Sequence, residues 1–316
     1  MKGWQLHTPV AFLIFNRPDT AGRVFEEIRR ARPPKLLAVA DGPRPDRPGE
    51  AERCAAVRAI IERVDWPCEL VKNYADTNLG CKRRVSSGLD WVFETVEEAI
   101  ILEDDCLPHP TFFRFCDELL DRYRDDERVM HISGDNFQFG RKRGDASYYF
   151  SRYPHIWGWA SWRRAWRHYD VEMTEWRSAG DKEAYLSAFR TSDERRFFRE
   201  VWNGVCEGRI DTWDYQWGFA CAARKGLVVL PNVNLVTNLG FAGDATHTHA
   251  GSPVAALPSE AMVFPLKHPE GFQWDDEADE VTRRIFFVQD ALWMRAVRKI
   301  WREAHARLSK SGQGVT

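Results

Sequence analysis

The amino-acid sequence predicts an α/β fold with a mostly parallel central sheet and helices on both faces. Short apolar runs alternate with amphipathic segments through the first half of the chain. The alternation repeats, which is the pattern of linked strand–helix–strand units. Polar residues stand immediately after several of the runs, where ligands of such sheets bind.

Taken in order, "VAFLIF" (10–15) reads as a strand buried on both faces, and Val24 and Ile28 give the next segment a helical face. "KLLAVAD" (35–41) is a second strand, followed by a helix with Cys54, Val57, Ile61 and Val64 inward. "CELVKNY" begins a third unit, whose helix carries Val85, Leu89, Val92 and Val96, and "AIIL" is the fourth strand. A helix with Phe112, Cys116, Leu119 and Tyr123 on one face leads to the short strand "VMHIS". Beyond it the character changes: eight of the fourteen tryptophans lie between 157 and 217. That half is expected to be mainly helical, with "KGLVVLPNVNLVTNLGF" as its strand-like stretch. After 280, Trp293, Val297, Ile300, Ala304 and Leu308 form an apolar stripe flanked by Arg295, Arg298, Lys299, Arg302, Arg307 and Lys310, an amphipathic basic helix.

Composition narrows the function. The chain has 316 residues, 44% of them hydrophobic, enough for a substantial core. A net charge of −2 argues against a polyanionic partner such as nucleic acid. Seven scattered cysteines with no CxxC pair argue against a disulfide framework or a structural zinc site and fit a cytoplasmic protein. No signal peptide or membrane span is apparent.

The chemistry concentrates in "AIILEDDCLPHPTFF" (99–113), where Glu103, Asp104 and Asp105 stand side by side after an apolar strand. Three adjacent anions demand a counter-charge. Hard cations such as Mn²⁺ and Mg²⁺ take oxygen ligands, often one or two carboxylates plus substrate phosphates. Adjacent acids are poorly placed to flank a scissile sugar bond, which weakens a glycosidase reading. Asn16 and Arg17 follow the first strand, Asp41 the second, and "NLGCKRR" sets Gly80, Lys82, Arg83 and Arg84 at a helix start, a natural anion site. The sequence has neither GxxxxGK[ST] nor a GxGxxG after its first strand.

The order "TPVAFLIFNRPDTAGRVFEEI", "NLGCKRRVSSGLDWVFE", "AIILEDDCLPHPTFFRF", "PHIWGWASWRRAW" and "DTWDYQW" resembles the GT-A fold glycosyltransferases, those like N-acetylglucosaminyltransferase I and their bacterial relatives, over residues 8–250. The resemblance implies a Rossmann-like nucleotide-diphospho-sugar transferase fold. It divides the chain into a nucleotide-sugar-binding half (1–135), a largely helical acceptor and catalytic half (136–280) and the basic tail (281–316). It implies that Asp105 ligates Mn²⁺ or Mg²⁺ on a UDP-sugar diphosphate, while Glu103 and Asp104 contact the donor. Asn16, Arg17, Asp41, Lys82 and Arg83 would face the nucleotide and its phosphates. Trp157 and Trp159 would shape the sugar pocket, with burial in the core as their alternative. "RIDTWDYQW" supplies Asp214 or Asp211 as the catalytic base, with helix capping as the alternative for Asp214. In "NLGFAGDATHTHAG", His247 and His249 are candidates for the metal or the leaving diphosphate.

The reading is thus a metal-dependent, inverting hexosyl- or N-acetylhexosaminyl-transferase acting in cell-surface glycan synthesis. Its partners would be a nucleotide-sugar donor and a glycan or lipid-linked glycan acceptor. The basic tail suggests peripheral contact with anionic membrane at the inner face, against plain packing on the domain. The alternatives are a sugar nucleotidyltransferase, which usually opens with a glycine-rich basic loop that "FNRPDT" lacks, and a non-catalytic carbohydrate-binding protein.

Overall fold

Strand β1 (Val10–Ile14) is buried along its whole length, and Pro18 then opens α1 (Pro18–Ala31) where a missing N–H costs nothing. β2 (Lys35–Ala40), α2 (Glu50–Ile61), β3 (Glu69–Tyr74), α3 (Gly80–Thr95) and β4 (Glu98–Glu103) continue the alternation. A short β5 (Cys106–Pro108) precedes α4 (Pro110–Arg122) and β6 (Val129–Ser133). These coordinates are a computed structural model that describes residues 4–240, 254 and 257–288.

The second half adds β7 (Tyr148–Ser151), β8 (Trp159–Trp162), α5 (Arg163–Trp166), α6 (Thr174–Ser178), α7 (Lys182–Leu186), α8 (Ser192–Cys206), α9 (Asp214–Ala223), β9 (Leu227–Pro231), β10 (Val236–Asn238) and α10 (Asp276–Arg283). The strands β7 and β8 depart from the mainly helical expectation. Both are short, aromatic and buried at every position, so neither shows the alternation that marks a half-buried strand. The stretch 225–240 holds two strands rather than one, β9 and β10.

Eight strands form one sheet in the order β3-β2-β1-β4-β8-β6-β9-β7. The first four are mutually parallel, β8 runs antiparallel between β4 and β6, and β9 returns to the common direction beside β6. β10 pairs instead with β5. Alternate residues of β1 and β2 enter two cores. Val10, Phe12, Leu36 and Ala38 meet α1, α2 and α4, whereas Ala11, Leu13, Leu37 and Val39 meet α3 and α9. Helices therefore cover both faces, as the sequence predicts.

A third core belongs to the second half, where Trp176, Phe189, Phe198, Trp202 and Phe219 join α6, α8 and α9. Thr191 caps α8 with Glu194 in a reciprocal capping box, which fixes where that helix begins. Position 281, the expected start of the tail, falls inside α10, and a π-helical turn at Arg284–Val288 follows. The stripe from Trp293 to Leu308 lies outside the described residues. No helix among the described residues is long and apolar enough to cross a membrane.

Candidate active site

The parallel strands β1, β2 and β4 end at one edge of the sheet, and the register brings Leu13 beside Glu103. Asp104, buried, accepts the Phe15 N–H at 2.9 Å. Asp105 accepts Arg17 Nη1 at 2.7 Å. Among the described residues, a guanidinium, a backbone N–H and the Cys106 thiol at 3.5 Å serve these acids. Burial, followed by repulsion from Asp105, Asp104 and Asp214, pushes the Glu103 carboxyl up to about 8. Burial and then Asp105 push Asp104 up to about 7. Among the described residues, Arg17 supplies counter-charge to Asp105.

Four carboxylates from separate parts of the chain bear on one thiol. Cys81, in the first turn of α3, is pushed up to about 12 by burial and then by Glu103, Asp214, Asp211 and Asp41. Cys81 is nonetheless an exposed residue and not part of the core. The structure thus gathers the acids after β4, the acids at the start of α9 and Asp41 around one end of α3. Asp214 is the first residue of α9, and its carboxylate accepts the Thr212 hydroxyl rather than a helix N–H. The capping alternative for Asp214 finds no hydrogen bond in the structure. Asp211 is exposed on the approach to the same helix.

The start of α3 differs from the expected anion site. Asp41 accepts the N–H groups of Leu79 at 2.9 Å and Gly80 at 3.1 Å, together with Asn78 Nδ2 at 2.9 Å and its own neighbour Gly42. A resident carboxylate already occupies the helix N-terminus, where backbone donors favour negative charge. Gly80 takes φ +78°, the left-handed region that glycine adopts without strain. Arg84 is buried and locked to the Ala40 and Asn73 carbonyls, tying α3 to two strand ends. Arg83 pairs with Glu172 at 2.8 Å, and Lys82 is half-buried in the same turn. Asn16 Nδ2 donates to Glu50 Oε1 at 2.9 Å.

The two tryptophans separate. Trp159 is the first residue of β8, paired between Ile101 and Ser133 in the middle of the sheet. It is fully buried and stacks on His131 and Trp213, so the structure places it in the core instead of a sugar pocket. The antiparallel sense of β8 carries the chain back toward Trp157 as β4 runs forward to Glu103, which sets Trp157 at the edge where the acids lie. It is half-buried, and its N–H donates to Asp135 at 3.3 Å. His247 and His249 lie outside the described residues.

Sequence reasoning missed three features of this edge. Asp135, just past β6, pairs with His155 Nδ1 at 2.7 Å with both side chains buried, and no motif marks the pair. Glu50 accepts Arg44 and Asn16, which hold its carboxyl down to about 2. Gly240 follows β10 so closely to the acids that a Cβ there would stand 2.3 Å from Asp105 Oδ2. "NLG" after an apolar run is the available signal for that close approach.

Among the described residues, no group of three or more His, Cys, Asp or Glu side chains is gathered to hold a metal ion by protein ligands alone. The donor chemistry nevertheless fits a hard divalent cation, because Glu103, Asp104 and Asp105 offer oxygen ligands. Asp105 is the residue that would hold such an ion, completed by the phosphate oxygens of a bound nucleotide.

No protein-family model matches the chain, and no curated protein matches it. Among solved structures it is similar to a UDP-glucose pyrophosphorylase complexed with UDP-glucose, at 9% identity and a TM-score of 0.35, covering 72% of this chain and 90% of that one. It is also similar to mouse xyloside xylosyltransferase 1, at 10% identity and a TM-score of 0.34, covering 69% and 82%. An apo UDP-glucose pyrophosphorylase gives 9% identity and a TM-score of 0.38 over 73% and 93%.

Proposed function

We propose that this protein is a metal-dependent, inverting glycosyltransferase that moves a sugar from a nucleotide diphosphate, a UDP-sugar, to a hydroxyl acceptor. The observation that carries the reading is that Glu103, at the end of β4, and Asp214 and Asp211, at and just before the start of α9, all act electrostatically on Cys81, and Asp214 acts on Glu103. One group suits a donor diphosphate and its cation, and the other suits a base for the acceptor.

In the transfer, the acceptor oxygen forms a bond to the anomeric carbon while the bond to the diphosphate breaks. The acceptor proton goes to Asp214, and UDP leaves. A bound cation would supply electrostatic stabilisation of the charge on the leaving diphosphate. Asp104, fixed by the Phe15 N–H, and Glu103 orient the donor. Trp157 offers a ring at the same edge for a sugar face. A lipid-linked or cell-surface glycan is the acceptor class.

Release of UDP from a panel of UDP-sugars, with and without Mn²⁺, tests the reading. Metal-dependent UDP release, accelerated by a hydroxyl acceptor, supports it. Pyrophosphate formation from UTP and a sugar 1-phosphate would replace it with a nucleotidyltransferase. Sugar binding indifferent to both UDP and Mn²⁺ would replace it with a carbohydrate-binding module.

A further inference from the structure

We propose that the outer side of the sheet, at β7, carries a second binding site, and that its ligand is an anionic glycan. The site is built without the acids after β4 or those at the start of α9, so the inference stands apart from the donor reading above.

Two cavities adjoin there, one of about 740 Å³ and one of about 530 Å³, and Arg152, Arg190 and Asp276 line both. β7 is the last strand of the sheet, four positions from β4. At the ordinary spacing of strands, that sets β7 about 19 Å from β4. The floor of the groove is a buried ionic frame. Arg152, whose side chain is 4% exposed, donates to Asp276 at 2.5 Å and lies 3.1 Å from Asp279. Asp279 also accepts the Ser151 hydroxyl at 2.5 Å, and Glu194 accepts the Tyr153 hydroxyl and the Thr191 N–H. Glu277 is held by Arg143, and Glu280 by Arg283 and Arg284. Each acid that lines the groove therefore already has a partner in the protein.

The cations are not all matched in this way. Arg141 lines the larger cavity and Lys225 the smaller, both are exposed, and among the described residues the side chain of neither makes a hydrogen bond or ion pair. The smaller cavity is lined by Arg128, Arg152, Arg190 and Lys225 against Asp276 alone. That balance favours an anionic ligand.

Exposed rings give the ligand its second property. Phe139 and Phe272 are the exposed aromatic side chains among the described residues, at 49% and 40%, and each lines one of the two cavities. Phe272 is fixed by stacking on Phe150 at 5.4 Å, and the Arg128 guanidinium, itself held by Asp126, lies 3.7 Å from its centre. Ring and guanidinium form one flat surface beside the cavity that both line. An unpaired cation and an exposed ring thus occur once in each cavity, which suits a ligand that repeats a negative group and an apolar sugar face.

Calorimetric titration of the full chain, without UDP or metal, tests this with three probes. A mannuronate hexasaccharide has both charge and sugar faces, maltohexaose has the faces alone, and polyphosphate has the charge alone. The mannuronate hexasaccharide should bind at least about tenfold more tightly than either of the others. Arg141→Gln combined with Lys225→Gln should weaken it by about tenfold or more, as the loss of two charge-assisted hydrogen bonds implies. Arg141→Lys combined with Lys225→Arg keeps both charges and should bind near the wild-type value. Phe139→Ala, which alters no charge, should weaken the hexasaccharide and leave polyphosphate unchanged.

Equal binding of polyphosphate would reduce the groove to a general anion patch and overturn the inference. So would equal binding of maltohexaose, an unchanged affinity in the doubly neutral variant, or no binding of the mannuronate hexasaccharide at all. None of these results bears on the donor reading, which UDP and Mn²⁺ test separately.

Discussion

Gly240 approaches Asp105 so closely that a Cβ on the glycine would lie 2.3 Å from the Oδ2 of the acid. The Leu239 N–H donates to the Asp105 carbonyl at 2.7 Å, so the two segments are joined by backbone as well as by contact. Gly240→Ala must therefore displace the carboxylate or separate β10 from β5. The substitution should cost about 1–3 kcal/mol, the usual range for overpacking, and should weaken UDP binding in the presence of Mn²⁺. Thermal melting together with calorimetric titration checks both effects. An unchanged Mn²⁺–UDP affinity would mean that the carboxylate can move aside without consequence.

Glu103 makes the stability of the ligand-free protein depend on pH. Its carboxyl stands at about 8 in the folded protein against an ordinary 4.5, so between those values the folded state binds more protons than the unfolded state. Stability must then fall as pH rises through that window. Asp104, held at about 7, adds a fall over a window that begins lower. Glu103→Gln should flatten the decline and raise the melting temperature at pH 8 with little effect at pH 4.5. Urea unfolding of both proteins across this range provides the measurement. A Gln variant that is less stable at pH 8 would show that the ionised acid has a stabilising partner.

How much of this was legible in the sequence depends on what each residue's neighbours are. The first four strands and their helices are visible because both faces of each strand are apolar and each helix carries its own stripe. Glu103 to Asp105 are legible for a related reason, since charge directly after a buried strand is costly without a purpose. β7 and β8 are hidden because their partners come from distant segments, and aromatic content alone does not distinguish strand from helix. The Asp135–His155 pair spans a separation of 20 residues and the Arg17–Asp105 pair one of 88, and only the folded sheet edge brings such partners together. The contacts by which Asp41 holds the start of α3 are not legible because a strand-end acid that faces a ligand and one that holds a helix start look alike in sequence.

Asp41 is accordingly expected to behave as a structural anchor. Removing its carboxylate in Asp41→Ala strands the Leu79 and Gly80 N–H groups and the Asn78 side chain. Each such loss of a buried partner is substantial, and the total should reach about 2–4 kcal/mol. Denaturant unfolding should show the loss. A full-stability variant with poor UDP affinity would instead return Asp41 to the nucleotide.

Trp157 and Trp159 should part in the same way under mutation. Trp159→Ala opens a void beside His131, Trp166 and Trp217 and should cost about 3–5 kcal/mol. Trp157→Ala should cost less and should raise KM for donor or acceptor through the lost ring face. Melting curves and steady-state kinetics on the two variants separate these outcomes. Equal destabilisation with unaltered KM would place Trp157 among the core residues too.

Asp214 gives the sharpest separation of chemistry from structure. Its carboxylate bonds the Thr212 hydroxyl and no helix N–H, so Asp214→Asn removes no cap and keeps the shape of the side chain. Helix stability should change by less than the roughly 0.5–2 kcal/mol that a lost cap entails. Loss of a base lowers turnover by about 10²–10⁴-fold while the donor still binds. Removing this negative charge also relieves Glu103 of one of its repelling neighbours, so the Glu103 carboxyl should titrate at a lower pH in the variant. The variant is therefore expected to bind UDP and Mn²⁺ normally, melt near the wild-type temperature and transfer sugar very slowly. Near-normal turnover would pass the role to Asp211, which bears on the same thiol.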